Sequence, residues 1–146
     1  LDMGMDPFNF ADALIAILAQ RLVRTLCKNC KETYHPDKSE YEALVREYDE
    51  ELFKKNVNIP YSDELMLYRP VGCEQCNNTG YRGRMGIHEL LVATDGIKSL
   101  ITSRAPMSEI RDQAIAEGMT TLKQDGIEKI FEGHCDLVEV RKVCIK

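Results

Sequence analysis

Nowhere in the 146 residues is there a G-x-x-x-x-G-K-[ST] phosphate loop, which excludes the commonest way of cradling a nucleotide triphosphate. The nearest glycine-rich stretch, TGYRGRMG (79–86), has no Lys-Ser/Thr at its end and reads as a chain reversal leading into a strand. No H-E-x-x-H occurs; His88-Glu89 stands in a strand-like segment, and no Ser-His-Asp ordering or paired acidic motif stands out. No apolar run approaches the roughly 18 residues needed to span a bilayer. The run Ala13–Ala19 is short and leads into Gln20, Arg21 and Arg24. The opening LDMGMDPFNF has no basic n-region, so no signal peptide is expected, and it reads as though cut from a longer chain. The formal net charge of -5 disfavours a general nucleic-acid binder, because neutralising phosphates requires a dense Lys/Arg surface. Internal repeats and low-complexity tracts are also missing.

What remains is an ordinary globular composition, 44% hydrophobic and 29% charged. A chain of this length can bury a core without help, so a metal would organise one part of it. The acidic excess concentrates at 35–70, where nine acids face five bases. The strongest chemical signal is cysteine spacing. Cys27-Lys28-Asn29-Cys30 and Cys73-Glu74-Gln75-Cys76 are two C-x-x-C units. Each is a tight knuckle that turns two sulfurs to one side, and two facing knuckles supply four thiolates in a tetrahedron. That arrangement suits Zn²⁺ at about 2.3 Å from sulfur and leaves no position for water, so the site would be structural. A tetrathiolate zinc centre carries a formal charge of about minus two. Lys28, Lys31, Arg82 and Arg84 are the cations placed to offset it. Asn29, Asn77, Asn78 and Gly80 suit the turns.

The competing arrangements are two disulfides, a thioredoxin-like redox pair, and substitution of one thiolate by His35. The first conflicts with the missing secretory signal and with two extra cysteines, Cys135 and Cys144, which read as helix-packing residues. The second lacks a surrounding βαβ unit. His88 and His134 are further spare donors. The 42 residues between the knuckles, 31–72, exceed a zinc-ribbon loop of roughly 15–20 residues. They are expected to form an inserted helical arm projected by the metal clamp.

The fold class expected is α+β: mainly helical, with a small β element and a tetracysteine zinc knuckle. Ala11, Leu14, Ile15, Leu18, Leu22 and Leu26 recur at spacings of three and four, predicting a helix over 8–26 that starts near Asp6-Pro7. Tyr41, Leu44, Val45, Tyr48, Leu52 and Phe53 give a helical stripe within 38–56. Leu65 to Pro70 and Met85 to Ala93 read as strands. Four short helices follow. The first spans about 95–103. The second starts near Ser108 and stops at Gly118. The third starts at Thr121, with a capping box to Gln124, and stops at Gly133. The fourth starts at Asp136. The domain expectation is a helix over 1–26, a tetracysteine arm over 27–76, and a strand-and-helix subdomain over 77–146.

Three segments carry a resemblance: LDMGMDPFNFADALIAILAQRLVRTLCKNC, CEQCNNTGYRGRMGIHELL and EGMTTLKQDGIEKIFEGHCDLVEVRKV. They resemble the C-terminal part of the type II secretion and type IV pilus assembly ATPases, the general secretory pathway protein E class. The resemblance implies a cytoplasmic, hexameric parent, peripheral to the inner membrane, with a docking domain and a RecA-like core upstream. That core would hold ATP and Mg²⁺ and drive pseudopilus or pilus assembly. It also implies Zn²⁺ on Cys27, Cys30, Cys73 and Cys76, and no catalytic residues in this chain. The implied partners are the parent's core, neighbouring subunits and the inner-membrane platform protein; nucleic acid is not among them. Cys135 and Cys144 stand where the family pattern has threonines. The alternative function is a free-standing zinc-ribbon-like adaptor for nucleic acid or protein, with Lys28, Lys31, Arg82 and Arg84 as its contact patch.

Overall fold

The computed structural model describes residues 16–144. Its strands are β1 (Ala16–Leu26), β2 (Glu32–Tyr34), β3 (Leu67–Arg69) and β4 (Tyr81–Val92). Its helices are α1 (Lys38–Tyr48), α2 (Glu50–Asn56), α3 (Asp95–Thr102), α4 (Met107–Ala116), α5 (Leu122–Phe131) and α6 (Leu137–Val143). The class is α+β, as expected. β1 pairs with β4, and β2 pairs antiparallel with β3 in the register Glu32↔Arg69, Thr33↔Tyr68, Tyr34↔Leu67. No helix among the described residues is long and apolar enough to cross a membrane.

The chain divides into two compact units. One takes Arg21–Ile87 with Leu122–Lys146, and the other Leu1–Gln20 with His88–Thr121. In the first unit, Val23, Leu44, Tyr48, Phe53, Leu67, Ile87, Ile127, Ile130 and Val140 are buried together. Local chemistry places these residues. The Asp37 carboxylate accepts the Glu40 N–H at 2.8 Å and starts α1. Asp49, at φ +104, ends α1, and its carboxylate then accepts from Glu51 and Leu52 to start α2. One residue therefore breaks the single helix expected over 38–56, yet the Leu44, Tyr48 and Phe53 stripe still faces inward. The Tyr48 ring meets Phe53 edge to face at 5.7 Å, and Phe53 meets Phe131 at 5.4 Å. The Tyr48 hydroxyl donates to Glu128 at 2.7 Å, and the Gln124 side-chain amide donates to the Tyr48 carbonyl at 2.6 Å. In the second unit, Thr94 caps α3 by accepting from Ile97, and Ile97, Ile101 and Ala114 form a small core.

Three sequence expectations are corrected here. Residues 16–26 are a strand, not a helix; the rest of that predicted helix, including Ala11, Leu14 and Ile15, lies outside the described residues. The apolar residues in AILAQRLVRTL are dense enough to match either period, and pairing with β4 selects the strand. Val23, absent from the predicted stripe, is buried, while Leu18 and Leu22, members of it, are exposed. Next, 31–72 is not a projecting arm. Its two helices are present, but Leu44, Tyr48, Phe53 and Leu67 share a core with Ile127, Ile130 and Val140. Bare, that stripe would expose aromatic surface to water; helix α5 covers it. Finally, 77–146 is not one subdomain, because 88–121 and 122–144 fall in different units.

An ion pair between a partly exposed arginine and a buried carboxylate ties β1 to α6. Glu139 is only 3% exposed, and its carboxylate accepts both the Arg24 side chain, at 2.8 Å, and the Arg24 backbone N–H, at 3.1 Å. Asp136 starts the same helix by accepting the Glu139 N–H, and the Tyr81 hydroxyl donates to Asp136 at 2.6 Å. The Arg24 hydrogen bond holds the Glu139 carboxyl at about 2, against the opposing effect of burial. A carboxyl lowered by folding stabilises the fold above its unfolded value near 4.5 and loses that contribution as pH falls towards 2. Glu139→Gln should therefore lose about 2 kcal/mol at neutral pH, reduced from the full shift because Arg24 stays partly solvated. The cost should shrink progressively below about pH 4.5. Urea unfolding of both proteins across pH 7 to 3 checks this; a gap that does not narrow in acid overturns it.

Candidate metal centre

The two knuckles are brought together by backbone anchors. The Leu26 N–H donates to the His134 carbonyl and the Cys27 N–H to the Gly80 carbonyl, both at 2.9 Å. The second knuckle is one tight 3-10 turn, Glu74–Cys76, followed by Asn77 at φ +56 and Asn78 at φ +61. Gly80 has φ +86, and a Cβ there would lie 2.5 Å from the Pro70 side chain, so glycine is required at this reversal. The chain becomes strand already at Tyr81, earlier than the expected Met85.

Cys27, Cys30, Cys73 and Cys76 converge as expected, with all four sulfurs within 4.8 Å of one another. The Cys27–Cys73, Cys30–Cys76 and Cys73–Cys76 sulfur pairs are each 3.8 Å apart. A tetrahedron with metal–sulfur bonds of about 2.3 Å has edges about 1.63 times as long, or about 3.8 Å. A disulfide needs about 2.05 Å, and all four cysteines are free. The donor set thus fits a four-coordinate metal ion and could hold one without a further ligand. Cys27 and Cys76 are buried, whereas Cys30 and Cys73 are half-buried.

Polar hydrogens point at the sulfurs. The Gly72 N–H lies 3.3 Å from Cys30 Sγ, and the Cys73 and Gly80 N–H groups each lie 3.2 Å from Cys76 Sγ. The Asn29 side-chain amide reaches Cys73 Sγ at 3.3 Å. Burial alone would raise the Cys76 thiol, but the Cys73 and Gly80 N–H donors bring it down to about 6. Donation from Asn29 lowers the Cys73 thiol, whereas burial pushes Cys30 up to about 11. Four thiols this close cannot all ionise without a cation between them.

Of the expected counter-cations, Lys28 and Arg82 line a cleft of roughly 300 Å³ beside Cys27, with Asn29 and Gln75. Arg24, Arg82 and Arg84 line another beside Cys76. Lys31 does something different. Its ammonium donates to the Gly133 carbonyl at 2.8 Å and sits over the Tyr68 ring at 4.4 Å, capping the end of α5. His35 is not among the converging ligands: its Nδ1 donates to the Leu65 carbonyl at 2.9 Å, and its Nε2 faces the Tyr61 hydroxyl at 3.0 Å. Cys135 is buried in the core and Cys144 packs against it. Spacing alone identified the four sulfurs. It did not identify the N–H donors or Arg24, because no motif marks a backbone amide or an arginine three residues before a knuckle.

Comparison with known proteins follows the same lines. A family model described as type II/IV secretion system protein matches residues 1–142. The chain is 41% identical over 142 residues to the type II secretion system ATPase E of Vibrio cholerae, covering 97% of this chain and 25% of that protein. It is 39% identical to the type II secretion system protein E of Aeromonas hydrophila, covering 97% of this chain and 26% of that one. It is 40% identical over 139 residues to the type IV pilus assembly ATPase PilB of Thermus thermophilus, covering 95% of this chain and 14% of that protein. The chain therefore spans about a quarter of the length of its secretion relatives and less of the pilus protein.

Proposed function

The chain belongs to the type II/IV secretion system protein family, and from that membership we propose that it is a non-catalytic, zinc-organised module of a secretion or pilus-assembly ATPase. The observation that carries the reading is the sulfur geometry: three Sγ pairs at 3.8 Å, the edge length of a zinc tetrathiolate. Zinc would be held by Cys27, Cys30, Cys73 and Cys76. It would supply a closed structural cross-link, without a water to activate. Nucleotide and Mg²⁺ would bind elsewhere in the parent, on its RecA-like core. This module would pass the core's motion to neighbouring subunits of a hexamer and to the inner-membrane platform protein, at the cytoplasmic face of that membrane. Support for the separation of roles comes from the lack of a phosphate loop in 146 residues, set against relatives that are named as ATPases.

The adaptor reading retains the cleft formed by Lys28, Asn29, Gln75 and Arg82. Among the described residues no aromatic side chain lines it to stack a base, and the adjoining dianionic centre would oppose a phosphate. The decisive measurement is ATP turnover by this chain alone and by the parent with Cys73→Ser. The expected results are no turnover by the chain above a buffer blank and a parent whose assembly function falls while its nucleotide binding persists. Turnover by the isolated chain overturns the proposal.

A further inference from the structure

We infer that Asn29 is a latch across the two knuckles that sets how fast the bound metal is lost; this rests on the zinc reading above. Asn29 belongs to the first knuckle, yet its side-chain amide lies 3.3 Å from the sulfur of Cys73, 44 residues further on. The donors to Cys76, by contrast, belong to the second knuckle and the turn that follows it. Among the described residues, the Gly72 backbone N–H likewise reaches across to the Cys30 sulfur. Asn29 is thus the side chain, apart from the four cysteines, seen among these residues to reach a sulfur of the opposite knuckle.

Its target matters as much as its reach. Cys27 and Cys76 are buried, whereas Cys73, like Cys30, is partly open to solvent. An incoming chelator or proton meets such a sulfur first. A hydrogen bond to a thiolate draws electron density from the lone pair that a proton or competing metal would attack. It also prevents Cys73 from swinging away once its metal bond breaks. Losing a hydrogen-bond partner of a metal ligand typically costs roughly 10–100-fold in metal affinity, and a weaker affinity is expressed largely as faster release. Asn29 is itself exposed. Its removal therefore leaves no hole in the core, which separates this role from general support of the fold. Asn29→Asp keeps the shape but replaces a donor with an acceptor carrying charge beside the dianionic centre.

The test uses the purified chain loaded with Zn²⁺, or with Co²⁺ as a coloured substitute. Zinc transfer to an excess of chromophoric chelator at neutral pH should be about 10-fold faster for Asn29→Ala than for the wild type, and faster again for Asn29→Asp. The thiolate-to-cobalt charge-transfer band should move to lower energy in both variants, a signature that mere loosening of the fold would not produce. Wild-type release rates and an unmoved band in both variants overturn the inference while leaving the zinc reading intact. A wild-type chain that takes up neither metal overturns the zinc reading and this one with it.

Discussion

Stripping the metal from the tetracysteine centre should lower the melting temperature of the chain by about 10–15 °C. An ion that binds only the folded state, present a thousandfold above its dissociation constant, contributes about 4 kcal/mol, and each kcal/mol moves the midpoint of a domain this size by about 3 °C. The loss is large because the sulfurs join segments 46 residues apart and include the half-buried Cys30 thiol, which burial pushes up to about 11. It is not total, because the Leu44, Tyr48, Phe53, Ile127 and Val140 core does not depend on the ion. Native mass spectrometry should find one zinc per chain. A strong chelator, or Cys73→Ser with Cys76→Ser, should produce the shift. A chain that is metal-free as purified and melts unchanged with chelator rejects the structural-zinc assignment.

The second large effect is expected far from the sulfurs. Tyr48→Ala should cost about 4 kcal/mol, within the range for deleting a large buried aromatic side chain. Tyr48 is 1% exposed and lies against Phe53, and its hydroxyl bonds Glu128 in α5. Tyr48→Phe keeps the packing and removes the hydroxyl bonds to Glu128 and Asn56, so it should cost only about 1 kcal/mol. Glu42→Ala, on the exposed side of the same helix, should stay within about 0.5 kcal/mol. Urea midpoints for the three variants discriminate the packed arrangement from a free arm. If Tyr48→Ala costs less than about 1 kcal/mol, the segment between the knuckles is not part of the core.

Much of this molecule is written locally. Helix starts follow their caps: Asp136 accepts from Glu139 as the sequence suggests, and the tyrosine and leucine stripe of 38–56 faces inward despite the break at Asp49. The four sulfurs are legible because a knuckle needs two cysteines three residues apart. What was not legible depends on partners distant in sequence. A run such as AILAQRLVRTL carries no information about β4, yet β4 decides that it is a strand. Arg24 reads as a solvated charge until Glu139, 115 residues later, is seen beneath it. Lys31 looks like a counter-ion to the metal because it neighbours Cys30, but the end of α5 takes its ammonium.

The chain order of the larger unit has a consequence for synthesis. Residues 88–121 interrupt it, so 21–87 must wait for 122–144 before its core can close. On the ribosome, both knuckles emerge well before α5 and α6, at a stage when Leu44, Tyr48 and Phe53 still lack Ile127, Ile130 and Val140. A nascent chain halted near residue 120 would carry all four cysteines, without the His134 anchor, beside an uncovered aromatic face, making it a substrate for chaperones and proteases in a way the completed protein is not.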